Sequence, residues 1–550
     1  MIQNQILAAQ LLDIINELIE AALFMHKCAT VENYVQIEVT AKAVIGAINE
    51  LKPHMKQIKE EITYISAPVS CENLVACLEN ITKLTKVHSV KLIAKLEFEL
   101  IPLLKEFYYD VYFFTSIFGD KEKERAHYAE EFVKMGANPY IDEYAKLNNY
   151  KYDVSIYVLA YNKLEYTIQC IESIIQHTLS HIKYELFFVN NGSKDKTKEY
   201  FDSFGCEKNF HLLENCICDM RAVRRIFEGR YVLAVSNDVI VTENYLENLI
   251  KCMESDPKIA MVVPTTPNIS NMQTIPAKYS NLEEMHAFAK ANNISDPTRW
   301  EERTRLCNPL GLYRSEVLFS SHGVGLLDKY FVYSEFGDDA LALRLRRNGY
   351  KMILAKDCYC YHFGSLTLGE AQVKENTLEK SRKLFFDRYG VDAWSPGFCY
   401  DPILMEILNI KEKRPVHILG INSGFGSNPL KIKTLYKEAG NREADLYYVT
   451  TDERYLLDYK AFADKSIYAQ DVETIYETFD TTTFQYILLE GSSERIIKCP
   501  DDFIKVKGLL AQDGTLAIFA SNESERVMLE SLEPVKKVKS GLSGYWFVWM

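Results

Sequence analysis

The sequence predicts an α/β protein in which a helical module precedes two successive strand–helix alternations. Three observations carry this. Residues 1 to about 120 hold only two glycines, Gly46 and Gly119, and their apolar residues recur at helical spacing. From Asp153 short apolar strands alternate with helical stretches, the pattern of a sheet with helical crossovers. After the charged run Lys411-Glu-Lys-Arg-Pro415, which reads as a linker, a second alternation starts at Val416. The expected divisions are a helical domain over 1–150, an α/β domain over 151–400 and a Rossmann-like α/β domain over 415–550.

In the first division Ile6, Leu7, Ala9, Leu11, Leu12, Ile15, Leu18, Ile19 and Leu23 form one broad apolar stripe. Leu92, Ile93, Leu96, Leu100 and Leu104 form another. Breaks near Pro53, at Ala67-Pro68 and in the run Gly119–Arg125 divide the segment into four or five bundled helices. Convergent polar residues are lacking, so a structural or interaction role is expected. The long apolar helices over 1–25 and 90–118 offer faces for a homo-oligomer. In the middle division strands are expected at 153–159, 184–189, 230–235, 259–263 and 351–355.

Composition narrows the partners. The chain has 550 residues, 47% apolar and 25% charged, as in ordinary globular proteins. A net charge of −13 argues against a nucleic-acid partner, which needs a basic face, but leaves room for a local pocket for a sugar diphosphate. Thirteen cysteines include no CxxC pair; Cys216/Cys218 and Cys358/Cys360 are spaced as alternate strand positions. Reduced thiols and a cytoplasmic location are expected. The N-terminus lacks signal-peptide character, and no apolar run approaches about 20 residues, so no integral membrane segment is expected.

Three motifs carry chemistry. Tyr231-Val-Leu-Ala-Val ends in Ser236-Asn237-Asp238, which puts a carboxylate at the C-terminal mouth of a strand, where open α/β sheets bind ligands. Upstream stands Val154-Ser-Ile-Tyr-Val-Leu159-Ala-Tyr161-Asn162; downstream stand Gly337-Asp338-Asp339-Ala-Leu-Ala-Leu-Arg344 and His362. In this order and spacing they resemble the family 2 (GT-A) nucleotide-sugar glycosyltransferases over roughly residues 150–400. The resemblance implies a GT-A fold, with Leu159 and Tyr161 bordering the nucleotide. Asn162 reads equally as a helix N-cap, opening the helix that holds Tyr166–Ile175. Asn190-Asn191-Gly192-Ser193-Lys-Asp195 resembles the family's base-binding turn, with Asn190 in the place of the usual acid and a neutral amide oxygen as acceptor. Ser236 and Asn237 stand beside the sugar diphosphate, and Asp238 is the implied ligand of Mn²⁺ or Mg²⁺. His362, in a segment similar to the family's His-x-x-x-x-Thr with Thr367, completes that site, since Mn²⁺ tolerates an imidazole. Counting back from Arg344 assigns the general base to Asp338, with Asp339 as its competitor. Loops around Asn308 and His322–Asp328 resemble the acceptor-side wall. Arg221, Arg224 and Arg225 read either as diphosphate contacts or as a solvated helix face.

The last division, with Gly420-Ile-Asn-Ser-Gly424-Phe-Gly426 after its first strand, resembles class I S-adenosylmethionine-dependent methyltransferases. Leu419 replaces the acid expected before the first glycine, and Ser493-Glu494-Arg495 replaces the usual Glu-His. The reading is a kept fold without S-adenosylmethionine chemistry. The expected activity is inverting, metal-dependent sugar transfer from a nucleotide sugar, a UDP-sugar such as UDP-N-acetylglucosamine. The acceptor is a hydroxyl on a protein such as flagellin, or on a glycan. The rivals are a methyltransferase and a non-catalytic sugar-binding scaffold.

Overall fold

The computed structural model describes residues 5–61, 71–89, 91–117, 120, 123, 141–190, 192–204, 210–214, 227–320, 322–326, 335–364, 376–408, 410, 415–441, 443–541 and 543–550. They form two compact units. One comprises Met1–Ile168, Ile182–Asn237 and Arg314–Glu335; the other comprises Gln169–His181, Asp238–Tyr313 and Phe336–Met550.

The first unit opens with helices Gln5–Thr30, Tyr34–Glu61 and Cys71–Lys86. Residues 91–117 follow as one helical stretch in which α turns alternate with π turns at Leu96–Leu100 and Phe113–Ile117. Ile15, Ala22, Ile37, Ile48, Leu74, Leu78, Leu104 and Phe107 are fully buried in one core. Leu23 and Ile93, counted in the apolar stripes, lie at their margins and face solvent. Pro53 does not break a helix as expected; it lies inside Tyr34–Glu61. An interior proline costs about 3 kcal/mol, and burial of Ile48, Leu51 and Met55 around it offsets that cost. Ala67-Pro68 and nearly all of Gly119–Arg125 lie outside the described residues.

The same unit holds four parallel strands, β1 (Tyr152–Ala160), β2 (Tyr184–Asn190), β3 (Phe210–Glu214) and β4 (Gly229–Ser236), in the order β3-β2-β1-β4. Val154 to Val158 are buried without alternation, as expected of a parallel strand covered on both faces.

The second unit carries β5 (Val239–Ile240), β6 (Ile259–Thr265), β7 (Trp300–Arg303), β8 (Leu310–Arg314), β9 (Lys351–Tyr359) and β10 (Tyr361–His362). β6 pairs with antiparallel β8 and parallel β9, and β7 closes on β9 antiparallel. β7 was not expected, because Trp-Glu-Glu-Arg reads as a polar surface. Two of its charges are buried as partners instead: Glu301 meets Lys431 at 2.9 Å and Arg303 at 3.3 Å. Cys358 is buried in β9, and Cys360, also buried, lies in the break between β9 and β10 and not in a strand as expected; Cys216 and Cys218 lie outside the described residues.

The C-terminal sheet of this unit contains β11 (Val416–Ile421), β12 (Ala444–Thr450), β13 (Lys465–Tyr468), β14 (Phe484–Leu489), β15 (Leu510–Ala520), β16 (Lys536–Lys539) and β17 (Tyr545–Trp549). Their order is β13-β12-β11-β14-β15-β17-β16, parallel through β15, with β17 antiparallel to both neighbours. Successive residues feed opposite faces: Leu419 and Ile487 join one core, Ile418 and Leu488 the other. Among the described residues no helix is long and apolar enough to cross a membrane.

Candidate functional site

In the first unit the carboxyl ends of three parallel strands lie side by side. The register sets Ala160 opposite Asn190 and Leu159 opposite Ser236. Beyond β1 the chain turns through two left-handed residues, Asn162 at φ 56° and Lys163 at φ 60°. Three partners hold this uncommon geometry. The Asn162 N–H donates to Ser193 Oγ at 2.8 Å, its Oδ1 accepts the Lys194 N–H at 2.8 Å, and its carbonyl accepts Asn237 Nδ2 at 3.2 Å. Asn162 is therefore not the N-cap of the helix Leu164–His177; the Leu164 N–H is taken by Asp195 Oδ2 at 3.1 Å. The neighbouring turn does the capping, and so ties two βα loops together.

Asn190 is buried, and its Oδ1 accepts the Ser193 N–H at 3.0 Å, so it shapes the turn from inside. Asn237 also donates to Thr167 Oγ1 at 2.9 Å. Tyr161 is 46% exposed, and Leu159, Ser236 and Asn237 are half-buried at the same edge. Asn191, Arg221, Arg224, Arg225, Asp328 and Thr367 lie outside the described residues.

In the second unit a two-stranded ribbon, β5 with β10, sets His362 opposite Val239. The Phe363 N–H donates to the Asp238 carbonyl at 3.0 Å, locking the ribbon at its mouth. As a result His362 Nε2 lies 3.4 Å from Asp238 Oδ2. His362 Nδ1 is buried without a hydrogen-bond partner. An oxygen and a nitrogen donor this close suit a divalent cation that takes its remaining ligands from a diphosphate. No group of three His, Cys, Asp or Glu side chains converges among the described residues.

The acidic pair starts the helix Gly337–Arg347, whose first turn follows a left-handed Phe336. That ring packs between Phe385 and Trp394. The two carboxylates are treated differently. Asp339 is buried and gripped by Arg305, Nε to Oδ1 at 2.5 Å and Nη2 to Oδ2 at 3.2 Å. Burial works against the Arg305 charge, and Asp339 outweighs it and holds the guanidinium protonated. Asp338 is half-buried and has no cation of its own among the described contacts. The Asn308 N–H donates to its Oδ2 at 3.3 Å, and the Asn308 amide, oriented from its hydrogen bonds, donates to Oδ1 at 2.5 Å. Burial first, and the Asp339 charge second, push the Asp338 carboxyl up to about 7. A carboxylate that titrates there is poised to exchange protons at neutral pH.

One loop touches both groups. Asn268 Nδ2 donates to the His362 carbonyl at 2.9 Å, while Asn271 Nδ2 donates to the Arg305 carbonyl at 2.8 Å. Asn268, Asn271 and Met272 all have positive φ, a concentration of backbone strain typical of functional loops.

Residues 155–307 match the family model described as glycosyl transferase family 2. This stretch is similar to the family 2 glycosyltransferases. It contains Asn162, Asn190 and Asp238 and ends before Asp338 and His362. Over 134 residues the chain is 28% identical to an uncharacterized glycosyltransferase of Rickettsia bellii, covering 22% of this chain and 19% of the relative. Over 103 residues it is 32% identical to the glycosyltransferase GlyG of Streptococcus pneumoniae serotype 4, covering 18% and 33%. The chain thus spans a third or less of these curated relatives. Among solved structures it aligns with GalNAc-T7 bound to UDP, GalNAc and Mn²⁺ at 13% identity and TM-score 0.32, over 43% of this chain and 48% of that one.

Arg305 and the loop 266–273 were invisible in the sequence. A lone arginine after a short strand and two separated asparagines, Asn268 and Asn271, have no spacing signature; their meaning comes from Asp339 and His362, which reach them only through the fold.

Proposed function

We propose that the chain is an inverting glycosyltransferase that moves a sugar from a nucleotide donor to an acceptor hydroxyl. The observation that carries this is the meeting of Asp238 Oδ2 and His362 Nε2 at 3.4 Å. These two residues would hold a divalent cation, Mn²⁺ or Mg²⁺, which when bound neutralises the departing diphosphate. Asp338 takes the proton of the acceptor hydroxyl, and its elevated titration suits it to receive one at neutral pH. Asn308 orients that carboxylate, and Arg305 keeps Asp339 occupied as a charge partner. Leu159, Tyr161, Asn162, Asn190, Ser236 and Asn237 provide the nucleotide edge, with a UDP-sugar as the favoured donor.

A protein or glycan acceptor, a cytoplasmic location and a division at 1–150, 151–400 and 415–550 belong to the same reading. The C-terminal sheet, doubly wound with an antiparallel last pair, supports a Rossmann-like fold there. The test is a screen of UDP- and GDP-sugars with Mn²⁺ and then Mg²⁺, reading nucleotide release and mass gain on acceptors. Turnover of one donor, lost in Asp238→Ala, is expected. Binding and turnover of none would overturn the assignment.

A further inference from the structure

We propose that the C-terminal sheet positions the acidic pair of the transferase, with Asp458 as the positioning residue acting through Arg346. The proposal rests on Asp338 being the carboxylate that activates the acceptor. Asp338 and Asp339 open the helix Gly337–Arg347, and Arg346 and Arg347 close it. Asp458 lies in the 3₁₀ turn Glu453–Tyr459 and is fully buried. Its Oδ1 accepts Arg346 Nε at 3.2 Å and Nη2 at 2.7 Å; its Oδ2 accepts Arg347 Nε at 3.1 Å and Nη2 at 2.9 Å. Two consecutive arginines thus saturate one carboxylate, which fixes the helix in both rotation and translation.

The clamp leads on to the acidic pair. The remaining arm of Arg346 donates to the Thr304 carbonyl, and the residue after Thr304 is Arg305, which forks onto Asp339. The Arg346 guanidinium lies 4.6 Å from the Phe425 ring centroid, and Arg305 lies 5.9 Å from that of Phe398. The Thr304 hydroxyl also bonds that of Ser427, at the head of the helix after the glycine-rich turn. Both ends of the acidic helix are therefore held by residues of the C-terminal sheet or the segment leading into it. A buried ion pair is a poor source of stability, since apolar replacement is often neutral or better. What it provides here is a fixed direction for the helix.

The glycine-rich turn has a matching structural use. The Phe425 N–H donates to the Pro396 carbonyl at 2.9 Å, and the Ser427 N–H donates to the Gly397 carbonyl at 3.2 Å. A Cβ on Gly424 would collide with the Pro396 carbonyl, and one on Gly397 with that of Ser423. The glycines admit the chain's own backbone, in the position where such turns elsewhere admit a ligand.

The test uses the full chain with Asp458→Asn, which keeps shape and removes charge, and Arg347→Ala, which removes the more exposed half of the clamp if the first variant fails to fold. In Asp458→Asn, kcat should fall about 10- to 100-fold while KM for the donor stays within about twofold, the signature of misplacement rather than lost binding. Asp458→Glu should recover part of the loss. A second readout needs no turnover: carbodiimide labelling of Asp338 across pH, quantified by mass spectrometry on folded protein. Its midpoint should move in the variant, because Asp339, Arg305 and Cys307, the charged and titratable groups facing Asp338, shift with the helix. A purely structural role lowers the melting temperature and leaves the labelling midpoint and the pH profile of kcat in place; that result overturns the proposal. If the wild type turns over no nucleotide sugar but the midpoint still moves, the positioning stands and the transferase reading falls.

Discussion

Two runs of parallel strands, β3-β2-β1-β4 and β13-β12-β11-β14-β15, have carboxyl edges that are built alike and finished differently. At the edge of β1, β2 and β4, loops with left-handed residues are braced by side chains, and Tyr161 is left 46% exposed beside half-buried Ser236 and Asn237. At the edge of β11, β12 and β14, the glycine-rich turn spends amides on Pro396 and Gly397, and Asn422 Oδ1 accepts the Thr451 N–H at 2.8 Å. The second edge has the better glycine spacing and the weaker claim to a ligand. What differs is the partner: at the first edge side chains of neighbouring loops take the turn's amides, and at the second the backbone of Pro396 and Gly397 takes them.

The largest way to sharpen this contrast is at Asp338, the proposed proton acceptor. Asp338→Asn should lower kcat by about 10²–10⁴ while leaving donor affinity intact by calorimetry. In the wild type kcat should climb as pH rises through about 7, because the base acts only once deprotonated, and the variant should lose that limb. Asp238→Ala should remove metal-stimulated release of nucleotide, an effect of several kcal/mol on the barrier; equal stimulation by Mn²⁺ in the variant would move the cation elsewhere.

The second edge is tested by its glycines. Gly424→Ala meets both positive φ and the Pro396 carbonyl, so it should cost clearly more than the about 1–2 kcal/mol of left-handed strain alone. Gly192→Ala, at φ 80° with open space around it, should cost only that strain. Denaturant midpoints decide, and equal losses would mean the Pro396 contact is dispensable. Calorimetry with millimolar S-adenosylmethionine should show no heat.

The smallest effect concerns Glu490, buried after β14 and bonded by Asn428 Nδ2 at 2.6 Å. Burial pushes its carboxyl from 4.5 up to about 7, against the hydrogen bonds of Ser423 and Asn428. Between those values the unfolded chain has released the proton that the folded chain keeps. Stability therefore falls as pH rises through that window and levels off above it. Glu490→Gln should lack the slope and gain at most about 3 kcal/mol at pH 8.

Much of the fold was legible before any coordinates. The five expected strands are present, each extended at one or both ends: 230–235 became Gly229–Ser236 and 351–355 became Lys351–Tyr359. Strands β3, β7, β8 and the β5–β10 ribbon were not, because they are short or carry charges whose partners lie far along the chain. Of the acidic residues, Asp238 was marked by its place at a strand end and Asp338 by its spacing from Arg344. In the fold the two carboxylates differ in that Asp339 pairs with Arg305.

By itself the sequence determined the helical character of the first module and the five longer strands, since side-chain periodicity and turn chemistry act within a few residues. Only the tertiary structure decided which carboxylate keeps a cation and which does not, and whether a glycine turn faces a ligand or the chain itself. Those outcomes depend on desolvation and on groups brought within about 3 Å from distant positions, and such terms leave no trace in local spacing.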